Sequence, residues 1–149
     1  MQKWIILGAF LFAMIAGVLV YSKFSSHGSG PGIEVTWDLL GQLDFVTGSV
    51  GEELKLVDGA FVKVPGFMVP LEDEQKNVVE FLLVPTPQAC IHVPPPPPNQ
   101  MVYVKMNNNK SEVAYGPIWV YGTLKITNQK HQYGEASFVL TGERFEPYR

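Results

Sequence analysis

The stretch "AFVKVPGFMVPLE", residues 60–72, carries the pattern that decides the fold. Its apolar residues alternate as in a β-strand, but Pro65 and Gly66 interrupt the alternation in the middle. Proline cannot donate a hydrogen bond to a strand ladder, and glycine accommodates a bulge. The stretch therefore predicts one sharply bent strand whose two halves pair with different neighbours.

Four more strand patterns follow, separated by turn residues. They are "VVEFLLVP" (78–85), "MVYVKM" (101–106), "GPIWVYGTLKIT" (116–127) and "EASFVLTGERFEPY" (135–148), the last two joined by a polar loop with a solvated His131. Upstream, "TWDLLGQLDF" (36–45) favours a short helix, and "GEELKL" (51–56) adds a turn. The predicted fold class is mainly β, a small five-stranded OB-like barrel, because closure leaves few exposed strand edges. A small roll is the second choice.

The composition restricts the classes of function. Charged residues make up 17% of the 149 residues and the formal net charge is -3, whereas a soluble domain averages about 25% charged residues. The chain offers no basic face for nucleic acid, so we expect no nucleic-acid partner. A single cysteine excludes an intramolecular disulfide, and the fold must be stabilised by burial.

The amino-terminal region carries an uncharged apolar run from Trp4 to Tyr21. Its length is sufficient for a helix that crosses a hydrocarbon core of about 30 Å. Lys3 before the run favours a cytoplasmic amino terminus. A cleaved signal peptide is the alternative, with Val20 and Ser22 at the cleavage site. The predicted domains are a transmembrane helix or signal segment (1–22), a flexible Gly/Ser linker (23–33) and the β domain (34–149).

The segment "QACIHVPPPPPNQ", residues 88–100, places Cys90 two positions before His92. In an extended segment these side chains point to the same face. A thiolate and an imidazole can hold zinc or copper there; alternatively Cys90 is a small buried hydrophobe. Catalysis would also require an oxyanion hole and a third group, which the sequence does not identify. We therefore expect no enzyme and no certain cofactor.

The prolines that follow predict a polyproline II rod, which rises about 3.1 Å per residue. Such a rod either docks into an aromatic-lined groove of a partner or packs on the chain's own Trp119, Tyr103 or Tyr121. The partner-binding candidates are the rod and the two amide residues that are expected to tie its end to backbone groups: Pro94, Pro95, Pro96, Pro97, Pro98, Asn99 and Gln100.

Two further features leave alternatives open. Glu80, inside an apolar strand pattern, is either a buried acid with a tuned pKa or an edge residue that faces water. Trp119 and Tyr121 share one strand face, and they either pack in the core or stack sugars or bases on an open face.

The segments "VPGFMVPLE", "EFLLVP", "ACIHVPPPPPNQMVYV" and "YGPIWVYGTLKI" together resemble a bacterial exported family of unknown function, and "VTWDLL" resembles its entry into the domain. The resemblance covers residues 35–148. It implies export, a small β-rich domain and an association with transporter-type gene neighbourhoods linked to metals, but no established activity. "PTPQAC" departs from the family near Pro87, where an aromatic residue or glycine is expected.

These observations predict a membrane-anchored accessory or binding module. The expected location is the bacterial inner membrane, single-pass, with the domain in the periplasm. The expected partner is a protein of the envelope, such as a membrane transporter, in a complex linked to metals. The alternative is a metal-binding protein that uses Cys90 and His92.

Overall fold

The computed structural model describes residues 30–71, 76–87, 95–107 and 112–148. The predicted anchor, most of the predicted linker and the pair Cys90 and His92 lie outside these residues. Within the described ranges, no helix has both the length and the apolar character that crossing a membrane requires.

The described residues form six strands, two short helices and one 3-10 turn. Their bounds, in chain order, are β1 Ile33–Glu34, α1 Trp37–Leu40, α2 Glu52–Lys55, β2 Phe61–Pro70, β3 Glu80–Val84, the turn Pro98–Gln100, β4 Val102–Met106, β5 Pro117–His131 and β6 Gly134–Pro147. The predicted mainly β class and both helical segments are confirmed. The unpredicted strand is β1, which begins inside the predicted linker.

The strands belong to one six-stranded sheet of order β1-β2-β3-β4-β6-β5, in which β5 also pairs with β2. The pairs β1–β2 and β4–β6 are parallel, and the other pairs are antiparallel. The five longer strands therefore form a circuit of pairings that returns to β2. The sheet has six strands and is not the clean five-stranded barrel that was predicted, because β1 adds a parallel partner beside this circuit.

The bent strand β2 changes partner near its middle. Residues 61–67 pair with β5, and residues 67–70 pair with β3. Gly66 makes this division possible, because a β-carbon at its position would lie 2.7 Å from the carbonyl oxygen of Val84. The predicted division of the strand between two neighbours is confirmed.

The main core contains side chains from all five longer strands. It includes Val62, Val64, Phe81, Leu83, Val104, Val120, Leu124, Phe138 and Leu140. Leu40 of α1 and Leu54 of α2 are fully buried in the same cluster. The helix α1 begins after Thr36, whose hydroxyl accepts a hydrogen bond from the backbone N–H of Leu39 (3.3 Å).

The segment predicted as a polar loop around His131 is mostly paired strand, so that prediction is wrong. β5 extends to His131 and β6 begins at Gly134, with register shifts at Tyr121/Gly122 and Ile126/Gln129. Polar residues fit a strand here because much of this hairpin is exposed to water. We call residues 127–137 the hairpin arm; Ala136 lies within it.

The hairpin arm contacts the outer surface of the neighbouring strands. Ala136 belongs to a second apolar cluster with Leu82, Val84 and Met101. Leu82 and Val84 alternate along β3 with side chains of the main core, so this cluster lies on the opposite face of the strand. The side chain of Gln132 donates a hydrogen bond to the carbonyl oxygen of Leu71 (3.0 Å). The arm therefore covers apolar side chains that would otherwise face water.

Candidate functional site

The described part of the proline rod, Pro95–Pro98, lies in the connection between the neighbouring antiparallel strands β3 and β4. Pro95 and Pro97 are exposed. At the end of the rod, the side chain of Asn99 donates a hydrogen bond to the carbonyl oxygen of Leu43 (2.9 Å). The expected tie to backbone groups is therefore observed, and its acceptor lies after α1 instead of in the proline run.

Gln100 provides a second, longer tie, since its side-chain nitrogen lies 3.5 Å from the carbonyl oxygen of Trp37. The turn Pro98–Gln100 contacts α1 and β6. Trp119, Tyr103 and Tyr121 were the predicted internal packing partners of the rod. The elements found beside this turn are α1 and β6. Trp119, one of those three residues, stacks on Tyr148.

The predicted metal ligands Cys90 and His92, and Pro94 of the rod, fall outside the described residues. In the described part of the chain, no group of three or more His, Cys, Asp and Glu side chains is arranged to hold a metal ion. His131 is half-buried, not solvated as predicted, and burial lowers its pKa. Its Nδ1 accepts a hydrogen bond from the backbone N–H of Tyr133 (3.2 Å).

Trp119 and Tyr121 lie on the outer face of β5, because Ile118 and Val120, which alternate with them, belong to the main core. The strand register places two side chains of opposite charge, Arg144 and Glu146 of β6, directly opposite these aromatics. On the other side of β5, Lys63 pairs with Tyr121. We call this surface the aromatic shelf; its residues are Lys63, Trp119, Tyr121, Arg144, Glu146 and Tyr148.

Both cations of the shelf contact aromatic rings. The ammonium of Lys63 lies 4.4 Å from the centre of the Trp119 ring and 3.0 Å from a carboxylate oxygen of Glu34. The guanidinium carbon of Arg144 lies 3.8 Å from the centre of the Tyr121 ring. Such cation–π contacts hold the side chains in place. The two cations and the carboxylates of Glu34 and Glu146 balance in formal charge.

Tyr121 links the aromatic rings of the shelf to its carboxylate. Its hydroxyl donates a hydrogen bond to Glu146, and this bond is the main reason why the pKa of Tyr121 is raised above 10.0. Trp119, Tyr121, Glu146 and Pro147 line an open cavity of about 430 Å³. The cavity therefore combines aromatic walls with a fixed hydrogen-bond acceptor.

An apolar groove adjoins the shelf. It has a volume of about 250 Å³ and is lined by Trp37, Pro65, Gly66, Phe67, Pro85, Pro117 and Tyr148. The indole N–H of Trp37 donates a hydrogen bond to the carbonyl oxygen of Pro65 (2.7 Å), which fixes α1 against β2. Tyr148 belongs to both surfaces, since it lines the groove and stacks on Trp119 with 4.9 Å between ring centres.

Glu80 is a half-buried residue at the start of β3 whose carboxylate is held by two residues of β4. It accepts a hydrogen bond from the hydroxyl of Tyr103 (2.6 Å) and forms an ion pair with Lys105 (3.2 Å). The hydrogen bond from Tyr103 is the largest cause of the lowered pKa of Glu80. The structure thus shows a half-buried carboxylate that is paired across the ladder with β4, neither a fully buried acid nor a residue on a free sheet edge, since β3 lies between β2 and β4.

The charged half of the shelf was not predicted from the sequence. Lys63, Arg144 and Glu146 are brought beside Trp119 and Tyr121 only by the register of three strands. The alternation of Arg144, Glu146 and Tyr148 at the end of β6 was the available signal, because residues two apart in a strand share a face.

The chain is similar in structure and sequence to a solved protein structure. This is the crystal structure of a DUF3299 family protein from Pseudomonas aeruginosa PAO1, with 35% sequence identity and a TM-score of 0.62. The similarity covers 80% of this chain and 98% of that chain. No curated protein matches the chain. Residues 46–147 match the family described as "Protein of unknown function (DUF3299)". The chain therefore belongs to the DUF3299 family.

Proposed function

We propose that this domain is a binding module, an accessory partner in a protein complex of the bacterial envelope. Residues 1–22 would anchor it in the inner membrane and place it in the periplasm. We also propose that the five longer strands constitute an OB-like barrel with β1 added beside it. The circuit of pairings from β2 through β3, β4, β6 and β5 back to β2 supports this description.

The observation that carries the proposal is the arrangement of the proline rod. Asn99 is hydrogen-bonded to the backbone beyond α1, while Pro95 and Pro97 remain exposed. A polyproline II segment that is fixed at one end loses little conformational entropy when a partner covers it. The exposed prolines are therefore a suitable docking element for an aromatic-lined groove on another protein.

The resemblance in sequence supports a complex of the transporter type with a link to metals. The proposal contains no enzymatic step. Zinc or copper at Cys90 and His92 stays an alternative prediction. Its test is metal analysis and titration of the full chain beside Cys90→Ser and His92→Ala. Stoichiometric metal that both variants lose would support the alternative, and no stoichiometric metal in the wild type would eliminate it.

The docking role is tested by crosslinking the full chain in membranes and recovering it with its partner. We expect a defined partner with the wild-type chain and a strong loss of that partner with the double variant Pro95→Ser/Pro97→Ser. Pro87→Ser is the matched control, because Pro87 is an exposed proline outside the rod. Full recovery of the partner by the double variant would reduce the rod to a structural connection.

A further inference from the structure

We propose that the aromatic shelf is a binding site for a neutral saccharide. The proposal is independent of the docking role of the proline rod. A sugar ring has apolar C–H faces, which pack on aromatic rings, and a rim of hydroxyl groups, which require fixed donors and acceptors. The shelf offers both kinds of contact within one surface.

The apolar contact comes from the ring of Tyr148, which Trp119 supports from beneath. The rings of Trp119 and Tyr148 are stacked with 4.9 Å between their centres and 30° between their planes. Tyr148 is 49% exposed, so its ring remains accessible beside the cavity. The faces of the Trp119 ring are occupied by Tyr148 and by the ammonium of Lys63, so Trp119 holds Tyr148 in place instead of contacting the sugar face to face. An aromatic ring that is already fixed loses little side-chain entropy on binding.

The polar contacts come from β6. The carboxylate of Glu146 is exposed but oriented by the hydroxyl of Tyr121, and it keeps further acceptor positions for sugar hydroxyls. The guanidinium of Arg144 is held over the ring of Tyr121 and has several N–H donors. Charged groups form stronger hydrogen bonds to hydroxyls than neutral groups do.

The register of the sheet places these groups together. Tyr121 pairs with Arg144 while Gly122 pairs with Gly142, so one extra residue of β6 lies between the two pairs. Such a bulge redirects the side chains that follow it, and bulges are frequent beside binding sites. Here the residues after the bulge present Arg144 and Glu146 to the outer face of β5.

The size and charge of the site fit a small neutral ligand. The cavity of about 430 Å³ falls in the usual range for small-molecule sites, about 300–1,000 Å³. Lys63 is paired with Glu34 at the margin of the shelf, and Arg144 lies near Glu146, so the two cations and these two carboxylates balance in formal charge. A polyanion would gain no long-range attraction from such a surface.

The test is binding of neutral trisaccharides to the full chain in detergent, with triacetylchitotriose, cellotriose and maltotriose as probes. We expect saturable binding of at least one of them with a dissociation constant in the millimolar range. Saturation-transfer NMR detects the binding, and a titration isotherm gives the dissociation constant. Trp119→Ala should weaken the affinity about tenfold. Glu146→Gln, which keeps the shape and an acceptor for Tyr121, should weaken it several-fold. Glu53→Gln, an exposed carboxylate on α2, is the matched control.

Circular dichroism is used to check that each variant is folded before its affinity for the saccharide is compared with that of the wild type. Absence of saturable binding for all three probes, or equal affinity in the wild type and both shelf variants, would overturn the proposal. Binding of a proline-rich peptide at the shelf, with no saccharide bound by the wild type, would assign the site to a protein partner and overturn the proposal as well. The variant Pro95→Ser/Pro97→Ser should bind the saccharide normally, so this result and the docking result are distinguishable.

Discussion

The backbone of Gly66 lies directly against the side chain of Leu83, where the bent strand β2 passes from one neighbour to the other. A β-carbon at position 66 would lie 2.8 Å from Cγ of Leu83. The carbonyl oxygen of Val84 would be even closer, at 2.7 Å. The division of β2 between β5 and β3 therefore requires glycine at this position.

We expect Gly66→Ala to lower the free energy of unfolding by about 1–3 kcal/mol, because an added methyl group must displace packed backbone. Gly116→Ala is the control, since a β-carbon there would have no neighbour within 4 Å. Urea denaturation followed by tryptophan fluorescence measures both. Equal midpoints for the two variants would show that the sheet yields at Gly66 without cost.

The tie at the end of the proline rod gives a second prediction. Asn99→Ala should lower the free energy of unfolding by about 1 kcal/mol, because the carbonyl oxygen of Leu43 loses its hydrogen-bond donor. Asn99→Asp should cost more, because a half-buried carboxylate cannot donate and would face that carbonyl oxygen. Thermal unfolding ranks the two variants. An aspartate variant as stable as the wild type would mean that the hydrogen bond contributes little.

Glu80 gives a prediction about acid stability. Its pKa is lowered from 4.5, mainly by the hydroxyl of Tyr103. A lowered pKa adds stability above the unfolded-state pKa, and this contribution is lost as the pH falls through the folded-state pKa. We therefore expect the free energy of unfolding of the wild type to exceed that of Glu80→Gln by about 1 kcal/mol near neutral pH.

This difference should disappear as the pH falls below about 4.5 and the carboxyl is protonated in both states. Denaturant unfolding at a series of pH values measures it. Glu112→Gln, an exposed carboxyl of the described residues, is the control. A difference that stays constant with pH would assign the effect to packing.

Tyr121 gives a prediction at alkaline pH. Its pKa is raised above 10.0 because the neutral hydroxyl donates to Glu146. A raised pKa means that the contribution to stability is complete below the unfolded-state pKa and is lost as the pH rises through the folded-state value. A tyrosinate absorbance titration should show that Tyr121→Phe removes a phenol that ionises late. Tyr133→Phe is the control, and an identical loss in both variants would contradict the assignment.

The fold was predictable where local chemistry acts alone. Pro65 and Gly66 predict the bend of β2, because proline removes a hydrogen-bond donor and glycine permits the close approach of another backbone segment. β1 was missed because two residues after a glycine-rich stretch carry no alternation. The length of β5 was missed because its polar end, up to His131, resembles a loop when the partner strand is unknown.

The candidate site was predictable in one part. That Trp119 and Tyr121 share one strand face follows from their alternation with Ile118 and Val120, whereas the sequence left open whether this face points to the core or to solvent. The groups beside them depend on pairing partners far apart in sequence, such as Lys63 opposite Tyr121. Register of this kind is set by the whole sheet and cannot be derived from a single strand pattern.

The position of β6 in the pairing circuit also has a consequence for biogenesis. Among the described strands, β6 (Gly134–Pro147) is the partner of β5 besides β2, and it joins β4 to β5. Residues 61–67 of β2 pair with β5, at separations of fifty residues or more, as in the pair Phe61 and Thr123. Contacts of such long range form slowly. If the domain is exported as proposed, residues 61–131 would cross the membrane before β6 and without a complete set of partners. We therefore expect a translocating chain to stay unfolded until β6 has been delivered, which suits passage through a narrow export channel.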